Sequence, residues 1–330
     1  IGAVEYLGVR TLTFSVYNTW LARGSLAGAA QIALIMMIVV FALLALENHA
    51  RRQLKFSGSR ASHFLHPPVR RKLTGVAGAI AMLACSMPVL IGFGIPFWVL
   101  LGFALKRLDQ LLDPAFRQAL GNSILTGTLA AMITVIASLF LMHAGRTMRS
   151  HRTSILLRLA SMGYAIPGTV LAIGLVFTLG SADRWLNFGL TQLGLPAPGL
   201  IFSGSLFAVV LVACIRFLAV AESGIHSGLS KLPPNIDHAS PRQAMMQVML
   251  PLLSPAVMTS LVLVFVDTVK ELSATILLRP IGFNTLATLT YENASRAAVE
   301  DGAVAALAIV FVSLVPVLIL SRSLASDRVA

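Results

Sequence analysis

Three ionisable residues, Asp267, Lys270 and Glu271, stand together in an otherwise apolar stretch. On a helix, Asp267 and Glu271 are i, i+4 neighbours and Asp267 and Lys270 are i, i+3 neighbours, so a local ion pair is within reach. Charge inside a membrane span is expensive and is kept where it faces protein or water. Two readings are open: a polar patch on a translocation path or at an outer docking face, or a pair that stabilises a helix end at the interface. Pro167-Gly168, with Tyr164 one turn earlier, interrupts a second apolar stretch. Proline removes a ladder hydrogen bond and kinks a helix. Bent helices near the bilayer midplane line many transport routes, and a simple packing kink is the alternative. Arg216 lies one turn from the inner end of its apolar run, where snorkelling accounts for it. Asn122 and Ser123 stand where a helix cap is expected.

Other chemistry is missing. No GxxxxGK[ST] loop occurs, so ATP hydrolysis is not expected of this chain and no cofactor is expected in it. No Ser/His/Asp or HExxH arrangement is present, and an enzyme is not expected. His63 and His66 are three apart but lack a third ligand nearby, so they read as parts of a solvated linker and not as a metal site. Cys85 and Cys214 each lie in an apolar run without a CxxC partner and read as small core residues.

The elements that would position these residues are set by composition. Of 330 residues, 57% are hydrophobic and 12% charged, with mean hydropathy +0.84. Soluble domains carry about a quarter charged residues, so the solvent for this chain is lipid. Its net charge of +12 would suggest nucleic acid in a soluble protein. Here the basic residues cluster in short stretches between apolar runs, which is a topology signal, and no nucleic-acid partner is expected. A bilayer core of about 30 Å needs about 20 apolar helical residues. Seven runs qualify: 27–46, 77–105, 119–143, 155–179, 199–220, 252–278 and 302–321. They are too long and too evenly apolar for barrel strands. The expected fold is therefore an all-α membrane protein with seven transmembrane helices.

Loop charge orients them. Arg51, Arg52, Lys55, Arg60, Arg70, Arg71 and Lys72 come after the first run, and Arg146, Arg149 and Arg152 after the third. Lys231 and Arg242 come after the fifth, and Arg322 and Arg328 after the last. These loops are assigned to the cytoplasm. The start is then outside, and Ile1 has neither an initiator Met nor a basic leader, so the chain reads as lacking an upstream part. Residues 1–46 would hold the end of one membrane unit with a lone span, and 47–75, with Pro67-Pro68, a basic cytoplasmic linker. Residues 76–330 would form a six-helix domain.

The cytoplasmic loop 222–251 carries a short amphipathic pattern from Pro241 to Leu250. Ala244, Met245, Val248 and Met249 share one face, and Arg242, Gln243 and Gln247 are polar. Such a helix suits docking to a moving partner or is an interfacial linker. Val248-Met-Leu-Pro251 matches the I-x-L-P end of the EAA loop of binding-protein-dependent ABC transporter permeases, which this chain resembles. Asp237-His-Ala-Ser240 sits where D-E-A-A would begin. His238 stands in place of Glu, and a short stretch with the usual Gly is lacking between Ser240 and Pro241. The segment Val264 to Thr288 (VFVDTVKELSATILLRPIGFNTLAT) and the segment Tyr164 to Val170 (YAIPGTV) resemble ferric-iron permeases. Val4 to Val9 resembles the stretch just beyond the coupling loop of a first half in such proteins.

The resemblance implies a MetI-like transmembrane domain in a bacterial inner (plasma) membrane. It implies a cytoplasmic ATPase dimer, a periplasmic substrate-binding protein and a first permease half as partners. The coupling residues it points to are Asp237, His238, Ala239, Gln243, Leu250 and Pro251. The pathway residues are Tyr164, Pro167, Asp267, Lys270 and Glu271. Ferric iron is the expected cargo, while related permeases carry thiamine, polyamines, sulfate or phosphonates. A secondary transporter would need mid-span carboxylates, which runs two to five scarcely offer. A truncated permease acting as a scaffold is the other alternative.

Overall fold

The computed structural model describes residues 11–53, 73–147, 159–229 and 250–326. These residues are helical almost throughout, and seven helices are long and apolar enough to cross a bilayer: Leu26–Glu47, Gly75–Lys106, Pro114–Gly145, Gly168–Gln192, Leu206–Leu229, Pro251–Val269 and Val299–Arg322. The chain is an all-α, multi-pass membrane protein, as the apolar runs require.

Three helices form the centre: α5 (Pro114–Thr147), α7 (Leu206–Leu229) and α8 (Leu250–Val269). Ala130, Ala131 and Val135 of α5 meet Ala213, Phe217, Ala221 and Ile225 of α7 and Leu253 and Val264 of α8. Small residues make this close packing possible, because lipid supplies no hydrophobic drive between helices and contact area must come from backbone approach. A Cβ on Gly127 would stand 2.9 Å from the Phe265 ring, and one on Gly228 2.5 Å from the Ala256 Cβ. The Ser260 side chain likewise fills the space beside Gly224, and its Oγ donates to the Ala221 carbonyl.

The second apolar run is interrupted: α3 (Gly75–Val89) passes through one π-turn (Leu90–Gly94) into α4 (Ile95–Lys106). Pro88 cannot donate to the ladder and crowds the preceding turn, and a wide turn relieves that conflict. No residue of α3 is buried, and Trp98 of α4 is 75% exposed. This flank belongs to lipid, while Ala104 packs against α11 (Val299–Ser326) in a cluster with Phe116, Ala303 and Leu307.

Three spans depart from their predicted bounds. The run 199–220 is displaced, since α7 starts at Leu206 and reaches Leu229. The run 155–179 is not one helix. Ser161–Ala165 is a 3-10 turn, Ile166 and Pro167 are extended, and α6 begins at Gly168 and runs to Gln192. A residue before proline is pushed out of the helical region, and proline then offers a preset start for the next helix. Beyond 179, α6 is held by the loop at its end. The Asp183 carboxylate, 1% exposed, accepts from the N–H groups of Ile201, Phe202 and Ser203 and from the Ser203 hydroxyl. The run 252–278 also breaks. Helix α8 ends at Val269, and a single turn, α9 (Thr275–Leu278), comes after an irregular stretch.

An internal repeat emerges in the fold. Helix α1 (Leu12–Leu21, 10 residues) leads into α2 (Leu26–Gln53, 28 residues), and α10 (Leu286–Ser295, 10 residues) leads into α11 (28 residues). Thr11 and Thr285 cap the short helices through the same side-chain bond, to Phe14 N and Thr288 N. At that same sequence separation stand Leu12 and Leu286, Tyr17 and Tyr291, Gly28 and Gly302, and Ala29 and Ala303. The two tyrosines touch edge to face, with centroids 6.0 Å apart at 86°. Helix α2 packs on α6 through Ala29, Ala33 and Ile173.

Candidate functional site: a charged cluster at two helix breaks

The two breaks meet at Arg216. This arginine lies on α7 between Leu206 and Leu229, at about 15 Å from one end and about 20 Å from the other at 1.5 Å per residue. It is a mid-depth charge, and the snorkelling expected of it is not available. It pairs instead with the Glu271 carboxylate in the break after α8. Glu271 is 8% exposed and is fixed by its own loop: its Oε1 accepts from Ser273 Oγ at 2.7 Å and from Ala274 N at 3.0 Å. Those bonds compete with the helical ladder and explain why α8 stops at Val269. Arg216 also donates to Ser273 Oγ at 3.4 Å, and its guanidinium lies 5.5 Å from the Phe217 ring centroid.

The break before α6 closes over this pair. A Cβ on Gly168 would stand 2.5 Å from Ser273 Oγ, 2.7 Å from Arg216 Nη1 and 3.1 Å from Glu271 Oε1. A Cβ on Gly163 would overlap the Ile215 carbonyl. Only glycine lets the chain approach so closely. The Arg216 Nε and the neighbouring Thr169 hydroxyl are buried without a partner among the described residues.

Asp267 and Lys270 do form the predicted i, i+3 pair, with Lys270 Nζ 2.7 Å from Asp267 Oδ1. Glu271 does not join them, because the helix ends before it. Pro167 is the cap of α6 and lies at a true break, and Tyr164 is exposed on the 3-10 turn. Of the loop residues, Asp237, His238, Ala239 and Gln243 lie outside the described residues. Leu250 opens α8, and Pro251 is exposed in its first turn.

Asn122 and Ser123 do not cap a helix, since α5 starts at Pro114. They secure the chain beyond α9: Asn122 Nδ2 donates to the Asn284 carbonyl at 2.8 Å, and Ser123 Oγ accepts from Leu286 N at 2.7 Å. Arg279 bonds Asn284 and, at 2.5 Å, Glu292. Arg107 and Gln110 both reach Asp301 at 3.2 Å. The sequence alone does not reveal the Arg216–Glu271 pair: Arg216 reads as a snorkelling side chain and Glu271 as the i, i+4 neighbour of Asp267, although an arginine inside an apolar run signals a counter-ion. Asp183 gives no such signal, because its partners are backbone groups.

Residues 141–329 match the family model described as "Binding-protein-dependent transport system inner membrane component". Over 97% of its length the chain is 25% identical to the Fe(3+)-transport system permease protein FbpB 2 of Haemophilus influenzae, and it spans 62% of that protein. It is 27% identical, over 74% of its length and 94% of the relative, to a "Putative 2-aminoethylphosphonate transport system permease protein PhnV" of Salmonella typhimurium. Among solved structures, a bacterial ABC transporter involved in alginate import aligns with a TM-score of 0.57 at 16% identity, covering 74% of this chain and 94% of the other. The alginate transporter in complex with a pentasaccharide-bound periplasmic protein aligns at 0.55 and 17%, covering 73% and 92%. Both share the fold.

Proposed function

This chain belongs to the family of binding-protein-dependent transport system inner membrane components, and we propose on that premise that it forms part of the translocation path of an ATP-driven importer of ferric iron. The likeness to a ferric permease, over 97% of this chain and 62% of that protein, supports iron as cargo. Substrate arrives on a periplasmic binding protein, a cytoplasmic ATPase dimer supplies the energy, and an upstream permease half completes the path. The division into residues 1–46, a cytoplasmic linker at 47–75 and a permease domain at 76–330 is part of this reading.

Mechanically, the loop 222–251 is the coupling element, with Asp237, His238, Ala239, Gln243, Leu250 and Pro251 at the ATPase. It joins α7 to α8, which pack side by side near the loop, at Gly228 against Ala256 and Gly224 against Ser260. Helices so packed move as rods, so a push at Leu229 and Leu250 is delivered to Arg216 at mid-depth of α7 and to Glu271 just beyond the far end of α8. Tyr164, Pro167, Asp267, Lys270 and Glu271 line or border the path in this reading.

The test is uptake of radiolabelled ferric iron by cells that depend on this transporter. ATP-dependent uptake that is abolished by Pro251→Arg is the expected result. The phosphonate permease, matched over nearly its full length, supports a second cargo reading. Uptake of labelled 2-aminoethylphosphonate without uptake of iron would replace iron with it.

A further inference from the structure

We propose that Arg216, Glu271 and Gly168 form a hydration-sensitive latch that holds the two helix breaks together and must part for cargo to pass. The proposal rests on the transport reading above. Three observations carry it. The pair joins segments that are both discontinuous, the break before α6 and the break after α8, so its separation would release two chain ends that can pivot. Glu271 keeps two hydrogen bonds from its own loop when Arg216 leaves, so the carboxylate side is stable in both states. Among the described residues the Arg216 guanidinium has Glu271, a long bond to Ser273 and the ring of Phe217, its own helix neighbour, with Nε unpartnered, so Arg216 is the moving side.

Stability alone does not account for the pair. A buried ion pair is often no more stabilising than well-packed apolar residues in its place. What it adds is dependence on dielectric: the attraction is strong where water is excluded and falls steeply once water enters. A dry site therefore keeps itself shut, and a wetted one offers little resistance to staying open. Gly168 is what lets the lid of this site rest on the charges, since any side chain there would meet Ser273 Oγ and Arg216 Nη1 first. Arg216 and Gly168 are positioning residues in this scheme.

The test uses the whole transporter in proteoliposomes. Glu271→Gln removes the attraction and keeps the shape of the side chain: substrate-independent ATP hydrolysis is expected to rise about tenfold while Glu271→Asp stays near wild type. Gly168→Ala, whose Cβ would stand 2.5 Å from Ser273 Oγ and 2.7 Å from Arg216 Nη1, holds the lid off the charges and is expected to raise hydrolysis as well. Hydrolysis by Glu271→Gln at or below the wild-type level overturns the latch, because a merely structural role predicts loss. Wild-type protein that moves no iron at all refutes the cargo and leaves these latch measurements in force.

Discussion

The side chains that decide this site are ones whose partners lie far away in sequence. Arg216→Ala removes the counter-ion of Glu271, which retains its bonds from Ser273 and Ala274, so the cost is expected to fall below the about 3–5 kcal/mol of breaking a fully buried pair from one side. Thermal unfolding in detergent is expected to shift down accordingly, whereas Arg216→Met with Glu271→Met is expected to recover most of the loss. Asp183→Ala orphans three loop N–H groups at about 1–3 kcal/mol for each one that stays buried. Its expected signature is local: proteolysis and hydrogen exchange increase at 193–205 while the remainder of the helices keep their protection. Asp267 and Lys270 are different. Lys270 is largely exposed, so Lys270→Ala is expected to change stability by less than about 1 kcal/mol.

At the scale of elements, apolar run length alone located every span but could not see where a helix is interrupted. Leu26–Glu47 and Gly75–Lys106 end within two residues of the predicted runs, whereas the run 199–220 takes in the seven loop residues before Leu206 and misses the nine helical residues after 220. The runs at 155–179 and 252–278 each hide an interruption. Pro167 was visible as a kink, yet the extended Ile166-Pro167 pair that separates two helices depends on Gly163 and Gly168 lying against α7. The stop at Val269 has no local breaker at all, since it is set by Glu271 turning to Arg216 and Ala274 N. Tight glycine contacts were equally hidden, because a glycine in a helix looks like a cost until its neighbour is known. Gly228→Leu is therefore expected to spread α7 from α8 at Ala256 and Leu253. The measurement is uptake together with yield of folded protein, and both are expected to fall, with uptake falling further because the rods no longer transmit the push.

At the scale of the molecule, the α1–α2 and α10–α11 units use one design twice. Each begins at a threonine cap, carries a tyrosine near its middle, turns, and sets a Gly-Ala pair where the long helix crosses the short one. The correspondence reaches individual contacts: Gly28 faces Thr19, and Gly302 faces Asn293, positions related by the same separation. Equivalent residues that touch each other, as Tyr17 and Tyr291 do, are what a local two-fold relation produces. That relation makes a quantitative prediction. If the two units bear on each other through this ring pair, Tyr17→Leu and Tyr291→Leu are not additive, and a double-mutant cycle in detergent unfolding should return a coupling of about 0.5–1.5 kcal/mol. The glycines provide the asymmetric control. A Cβ at Gly28 would lie 2.9 Å from Ser25 Oγ and 3.1 Å from Thr19 Cγ2, while one at Gly302 meets nothing closer than 3.4 Å. Gly28→Ala should thus destabilise more than Gly302→Ala, although the residues are equivalent in the repeat. Additive tyrosine substitutions would mean that the rings merely pass one another, and the two units would then be held through Ala29, Ala33 and Ile173 on α6 instead.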